Sequence, residues 1–188
     1  MVSLHYTLAK EDYVNFYTYV MWDAGDRKRS RTKSIMKQVV FVLIFMVIYY
    51  LAGGFRFMNN ISVIIIVLMF ATSLLPLIGG RPGIRRSAED IADDPENASV
   101  FSDNFLTASD TGMHIKTTNS DNNYTWKAIV RKTETGAYYF LFLNAIHAII
   151  IPKKVFDNNE ALSEFRKLLS RNLSMEADLK DVINHAGE

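Results

Sequence analysis

The chain has 188 residues, of which 49% are hydrophobic and 22% are charged, and its formal net charge is +1. Its mean hydropathy is +0.03. The balanced charge excludes a wholly basic nucleic-acid-binding protein and an acidic disordered chain. The absence of cysteine excludes a disulfide framework, a thiol nucleophile and thiolate-bound zinc or iron–sulfur sites.

Residues 1–34 form the first predicted unit. Residues 3–7 alternate like a short strand, and the apolar residues from Tyr13 to Met21 recur at helical spacing, which predicts a helix from about Ala9 to Asp23. A basic run over residues 27–37 follows. It is interpreted first as a signal for membrane topology and second as a contact for anionic lipid or a partner. The candidate contact residues in this run are Arg27, Lys28, Arg29, Arg31 and Lys33.

Residues 35–80 are predicted to form a transmembrane helical hairpin, with spans at about 36–55 and 60–79. Residues 38–55 and 57–80 carry no charge. The length of each stretch is close to the roughly 20 apolar residues that a helix needs to cross a bilayer. The insertion preference of each stretch is about −3 to −8 kcal/mol. A buried core helix is the alternative, but a chain of this length hardly encloses two such helices.

The charges next to the hairpin predict its orientation. The segment between Asp26 and Glu89 carries ten Lys or Arg residues and no acidic residue, and only Arg56 of the ten lies in the predicted turn. Under the positive-inside rule, both termini are cytoplasmic and the turn faces outward. The chain is therefore predicted to be a membrane protein that crosses the bilayer more than once. Neither uncharged stretch contains Asp, Glu, Lys, Arg or His, so the hairpin is expected to be an anchor rather than an ion or proton pathway.

The cytosolic remainder divides into a charged linker, residues 81–99, and a β domain, residues 100–188. Five strands are predicted at about 100–107, 112–118, 124–132, 137–143 and 146–152, separated by turns rich in Gly, Asn and Asp. An amphipathic helix begins at about Asp157, and a second short helix follows Ser174. The predicted fold class is an α+β membrane protein, with a small antiparallel β-sandwich or barrel capped by a C-terminal helix.

This C-terminal half resembles the YcxB-like proteins of bacteria. The resemblance rests on the Trp-containing segment 124–129, the charged turn 133–135, the apolar segment 138–143, the Ile-Pro-Lys-Lys segment that begins at Ile151, and the helical segment 164–169. The resemblance implies a cytosolic domain like the bacterial pleckstrin-homology-like (PH-like) folds. It also implies that the membrane is the inner (plasma) membrane of a bacterium. It carries over no catalytic residue.

The sequence offers little for catalysis. Its four histidines lie at no metal-ligand spacing, and it has no phosphate-binding glycine loop and no nucleophile elbow. We therefore expect no catalytic residue, no metal and no cofactor, and an enzyme is the least favoured class. Two basic pairs at predicted strand ends are further candidate contacts for lipid headgroups or an acidic partner, provided that they share one rim. These pairs are Arg131 with Lys132, and Lys153 with Lys154.

The sequence favours a non-enzymatic interaction protein, regulatory or adaptor in role, that presents its β domain at the membrane. The expected partners are membrane lipid and a protein, without nucleic acid, and a homo-oligomer stays open. The alternative function is an immunity or protective protein that neutralises a membrane-acting toxin.

Overall fold

The computed structural model describes residues 1–51 and 60–173 of the chain. These residues form an α+β fold. The strands are β1 Val2–Thr7, β2 Asp103–Ala108, β3 Gly112–Lys116, β4 Asp121–Thr125, β5 Arg131–Glu134, β6 Tyr138–Phe142 and β7 Ala148–Pro152. The α-helices are α1 Lys10–Thr18, α2 Gly25–Leu51, α3 Asn60–Asp93 and α4 Asn159–Asn172. A π-helical turn, Tyr19–Asp23, joins α1 to α2, and 3-10 turns lie at Pro95–Phe101, Trp126–Ala128 and Lys153–Val155.

The strands form two antiparallel sheets, with the orders β1-β2-β3-β4 and β5-β6-β7. Strand β1 pairs with β2 along its whole length, from Val2 opposite Ala108 to Thr7 opposite Asp103. Two segments that the predicted domain boundaries separate, residues 1–34 and 100–188, therefore contribute neighbouring strands to one sheet. Both predicted membrane spans lie in the connection between these two strands.

The two sheets, α1 and α4 enclose one hydrophobic core. Strand β6 lies between β5 and β7, and its residues Tyr139, Phe140, Leu141 and Phe142 are all buried. The predicted apolar character on both faces of this strand is thereby explained, because a central strand covered on both faces buries every side chain. Helix α4 buries Phe165, Leu168 and Leu169 against the same core. Asn158 caps its first turn by accepting from the backbone N–H of Ala161 at 2.8 Å.

The predicted strand over residues 124–132 is wrong. Strand β4 ends at Thr125, a 3-10 turn follows, and β5 begins at Arg131 in the other sheet. Trp126 is buried and donates from Nε1 to the carbonyl oxygen of Ser109 at 3.0 Å, whereas Val130 is 46% exposed. The alternation of apolar residues suggested one strand, but the chain has to change sheets here, and the turn makes that change.

The turn between β2 and β3 requires its glycine. Gly112 has φ +154°, and a Cβ atom at this position would overlap the carbonyl oxygen of Tyr124 on the neighbouring strand. L-residues rarely adopt this φ value. The predicted turn at residues 110–112 is thus the observed connection between β2 and β3.

Helix α2 begins at Gly25, so the basic run is helical and continuous with the apolar segment. Within the described ranges 1–51 and 60–173, this is the one helix whose length and composition suit a membrane crossing. Residues 52–55 of the first predicted span lie outside the described residues. The second predicted span, residues 60–79, falls in the first part of α3, and its crossing of a membrane stays a prediction. The second C-terminal helix, predicted after Ser174, also lies outside the described residues.

Candidate functional site

A buried carboxylate joins the N-terminal helix to the end of the β domain. Asp12 of α1 is 1% exposed. Its carboxylate accepts from Tyr138 Oη at 2.9 Å and from the Lys154 ammonium at 2.8 and 3.0 Å. Its Oδ2 atom also accepts from the backbone N–H of Ala9 at 3.1 Å. The hydrogen bonds to Asp12 raise the pKa of Lys154 above its ordinary value, which favours the charged form of the Lys154 ammonium.

A second ionic cluster joins β5, β7 and α4. Glu134 accepts from Lys153 Nζ at 2.8 Å and from the Arg166 guanidinium at 2.8 Å. Burial raises the pKa of Glu134, but the hydrogen bonds from Lys153 and Arg166 outweigh it, so its pKa lies below the ordinary value. Lys153 also lies over the ring of Tyr139, 4.9 Å from its centroid.

The structure places the two basic pairs that were predicted as contacts, and two of their residues belong to these clusters. Lys153 and Lys154 form ion pairs inside the fold, and Arg131 lies over the ring of Phe142 at 3.9 Å. Arg131 is opposite Phe142 in the sheet, and Phe142 is opposite Ala148, so Arg131 lies at the end of the sheet where β7 begins. Lys153 follows Pro152 and lies at the end where β7 finishes. The two basic pairs, which include Lys132, therefore lie at opposite ends of the three-stranded sheet. The condition that they share one rim is not met.

A cavity of about 640 Å³ opens between the two sheets. We name it the inter-sheet cavity. Its inner wall is apolar or aromatic, and its rim is polar and uncharged. The wall includes Tyr6, Leu8, Phe16, Ile115, Tyr124 and Ile149, and the rim includes Asn104, Thr117, Asn119, Ser120, Asn122 and His147. No carboxylate, Lys or Arg occurs among the described residues that line it.

One edge of this cavity is the outer edge of β7. Leu143 donates to the carbonyl of His147, and Lys153 donates to the carbonyl of Ala137. In an antiparallel ladder these bonds alternate along the strand, so the backbone groups of Ala148 and Ile150 point away from β6. The hydroxyl of Tyr6 donates to the carbonyl of Ile150 at 2.9 Å and bridges the two sheets there. Burial, together with the nearby charge of Asp12, raises the pKa of Tyr6, so this hydroxyl keeps its proton.

The basic residues of the juxtamembrane run lie on the first turns of α2. Arg27, Lys28, Arg29 and Lys33 are exposed. Arg31 instead folds back onto the Trp22 ring, 3.6 Å from its centroid, and donates to the Trp22 carbonyl at 3.1 Å. A second cavity, of about 310 Å³, lies beside this pair between α2 and α3. We name it the junction cavity.

Three of the four histidines lie in the described residues, and each contacts a neighbouring side chain. His5 stacks on Phe105 with ring centroids 4.2 Å apart, His114 contacts Asp121 at 2.6 Å, and His147 contacts Asn144 at 3.0 Å. Across the part of the chain that the structure describes, no group of three or more His, Asp or Glu residues is placed to hold a metal ion.

Residues 108–169 match the family model described as YcxB-like protein. This segment of the chain is YcxB-like. The resemblance predicted from the sequence is thereby confirmed for the part of the chain that runs from the end of β2 into α4. No curated protein and no solved structure matches the chain significantly.

The YcxB-like segment includes Glu134, Lys153, Lys154 and Arg166, but the partner of Lys154, Asp12, lies outside it. Sequence reasoning missed Asp12, although a signal for it exists. Asp12, Phe16 and Val20 follow each other at intervals of four on one helix face, and an acidic residue in such a buried series needs a polar partner. The inter-sheet cavity has no comparable local signal, because its walls come from strands that are distant in sequence.

Proposed function

We propose that this protein is a non-enzymatic, membrane-anchored binding module that holds a segment of a partner protein in the inter-sheet cavity. The anchor is the predicted helical hairpin, and the β domain lies at the cytosolic face of the bacterial inner membrane. The role is regulatory or adaptor. The observation that carries the proposal is an apolar cavity with an uncharged, amide-rich rim in a domain joined to an apolar helix.

The pairing of β1 with β2 supports a hairpin that crosses the membrane twice. If α2 crosses the bilayer, its far end lies on the side opposite β1. Strand β2 pairs with β1, so α3 has to bring the chain back. Apolar side chains are exposed on both helices, as is expected of surfaces that face lipid. They include Phe41, Leu43, Ile44, Val47 and Ile48 on α2, and Ile64, Val67 and Leu68 on α3.

The strand arrangement supports a PH-like β domain. Four strands form one antiparallel sheet, three form the other, and the C-terminal helix α4 packs against the core that they share. This arrangement of two packed sheets leaves edges that a protein has to cover, pair or use. In this protein the inter-sheet cavity lies at such an edge, that of β7.

The rim chemistry favours a protein partner over a lipid headgroup. A phosphate group requires several donors and positive charge, and the described lining of the inter-sheet cavity has no Lys or Arg. Asn and Ser side chains both donate and accept, so they match the alternating N–H and C=O groups of a peptide. The backbone groups of Ala148, which point away from β6, supply the same pairing, and the apolar wall takes a side chain of the partner.

Photo-crosslinking in native membranes tests this proposal. The full chain carries the photoreactive residue p-benzoylphenylalanine in place of Asn122, on the rim, and in a matched variant in place of Asn159, on the exposed start of α4. We expect a protein adduct of one defined mass from position 122 and none from position 159.

Charge at the rim provides the second arm. Asn119→Arg places a cation at the rim, where an uncharged peptide offers it no ionic partner. We therefore expect the yield of the adduct from position 122 to fall about fivefold. Asn159→Arg is the matched control and leaves the adduct unchanged. Adducts to phospholipid instead of protein, or an adduct that Asn119→Arg strengthens, would overturn the proposal of a protein partner.

A further inference from the structure

The junction cavity lies where the cytosolic ends of α2 and α3 meet. Its α2 side is one helix face, because the residues recur at intervals of three and four. The polar members of this face are Arg27, Ser30, Arg31, Ser34 and Gln38, and Trp22 closes one side. Ile84 of α3 lies across from them.

Arg31 is fixed in this cavity by two elements of the fold. Its guanidinium stacks on Trp22 and donates to the Trp22 carbonyl at 3.1 Å. Trp22 in turn packs against the backbone of Gly80, where a Cβ atom would overlap the indole. An Arg that is held in this way loses little side-chain entropy when it binds an anion, and its planar guanidinium retains further N–H donors for that purpose.

The charges around the junction cavity are unbalanced. Arg81 pairs with Asp23 at 3.1 Å, and Arg85 pairs with Glu11 at 2.8 Å. In contrast, neither Arg27 nor Arg31 lies within ion-pair distance of a carboxylate of the described residues. Asp23 and Glu11 therefore neutralise cations of α3. The described lining of the junction cavity itself contains no acidic residue, so its α2 side keeps positive charge for an anion from outside the chain.

The depth of the cavity fits a lipid. Gln38 lies seven residues after Arg31, which is about 10 Å farther along the helix, and the uncharged stretch begins there. The Oε1 atom of Gln38 is buried and has no hydrogen-bond partner among the residues that the structure describes. A half-turn of this amide would direct its NH2 group to an ester carbonyl, so the cavity offers polar contacts at both phosphate and glycerol depth.

We propose that the junction cavity binds the headgroup phosphate of an anionic phospholipid of the cytosolic leaflet. Arg31 and Arg27 hold the phosphate oxygens, the hydroxyls of Ser30 and Ser34 donate to them, and Gln38 contacts the glycerol ester region. This site rests on the proposed membrane anchorage and is independent of the protein partner in the inter-sheet cavity.

Native mass spectrometry of the full chain in detergent tests the site. The delipidated protein is titrated with dioleoyl phosphatidylglycerol, with dioleoyl phosphatidylcholine and with inorganic phosphate, at about 0.5 M salt, where the Debye length is roughly 4 Å. We expect retained phosphatidylglycerol, little phosphatidylcholine, and competition by inorganic phosphate only at much higher concentration. If the protein binds inorganic phosphate but not the lipid, the proposal that the bound phosphate belongs to a phospholipid is overturned.

Two variants localise the binding. Arg31→Gln is expected to weaken phosphatidylglycerol binding about tenfold, the scale of one lost charge-assisted pair. Arg29→Gln removes the same charge from the opposite face of α2, and we expect less than a twofold change. Ser34→Leu keeps every charge but fills the cavity, so it also weakens binding. Thermal unfolding of each variant shows whether its fold is intact.

If Arg31→Gln and Arg29→Gln weaken phosphatidylglycerol binding equally, the lipid binds to a diffuse basic surface and the proposed site is overturned. Retention of full binding in Ser34→Leu would do the same. Failure of the anchorage is a separate result, because the chain would then leave the membrane fraction in carbonate extraction.

Discussion

At the scale of single residues, the structure depends on a charge in its interior. Asp12 is nearly inaccessible, while the side chain of its ionic partner Lys154 is 62% exposed. A buried carboxylate is stable only if its lone pairs are occupied, and here Tyr138, Lys154 and the Ala9 backbone occupy them. The cluster fixes α1 against the Ile-Pro-Lys-Lys segment of the YcxB-like region.

Replacement of this carboxylate should loosen the β domain. Asp12→Ala leaves the Tyr138 hydroxyl and the Ala9 N–H without an acceptor, and we expect a loss of about 3 kcal/mol in the free energy of unfolding. Hydrogen exchange of the full chain in micelles measures this as about a hundredfold loss of amide protection in β6. Asp93→Ala is the matched control. Asp93 pairs with Lys10, but both side chains are exposed, so the loss of this pair should change the stability little. Equal effects of the two variants would contradict the role assigned to Asp12.

At the scale of elements, local patterns predicted the helices and most of the strands but not the change of sheet. The alternation in residues 124–132 favours one strand, because nothing local shows that Trp126 finds its acceptor at Ser109, 17 positions earlier. Likewise, the basic residues at strand ends were predicted to be surface contacts. The charges of Lys153 and Lys154 are visible in the sequence. Their ion pairs with Glu134 and Asp12 are not, because these depend on contacts between distant segments.

The Glu134 cluster predicts how the contact between the three-stranded sheet and α4 responds to acid. Because the folded pKa of Glu134 lies below its ordinary value of 4.5, its stabilisation is present above that pH and is lost as the pH falls through the lower, folded value. Glu134→Gln should cost about 1 kcal/mol at pH 7, since a charge-assisted pair becomes a neutral one.

Thermal unfolding at neutral pH and at about pH 3 tests this response. The difference between Glu134→Gln and the unmodified chain should shrink towards the lower pH, because the stabilisation by the charged Glu134 is lost as the pH falls through its lowered folded pKa. Glu160→Gln, on the exposed first turn of α4, is the control and should show no such difference. A deficit that is independent of pH would mean that packing, and not charge, is lost.

At the scale of the whole molecule, the net charge of +1 conceals two environments. The segment between Asp26 and Glu89, which contains the proposed hairpin, carries ten basic and no acidic residues, and all 20 acidic residues lie outside it. The proposed hairpin lies between β1 and β2 in sequence. If it crosses the membrane, the chain has to leave the cytosol and return to it, because β1 and β2 pair in one sheet. Membrane topology and strand pairing therefore constrain each other.

Accessibility of single cysteines tests this coupling without background, because the chain has no cysteine of its own. The variants are Ser3→Cys on β1, Asn159→Cys on α4 and Asn59→Cys in the predicted outward turn. An impermeant maleimide added to intact spheroplasts should label only the Asn59→Cys variant, and after lysis it should label all three. Labelling of Ser3→Cys but not of Asn159→Cys would place the two ends on opposite sides, which the pairing of β1 with β2 forbids. Protection of all three variants before lysis would contradict a crossing by α2, and the anchor would then have to be an interfacial helix.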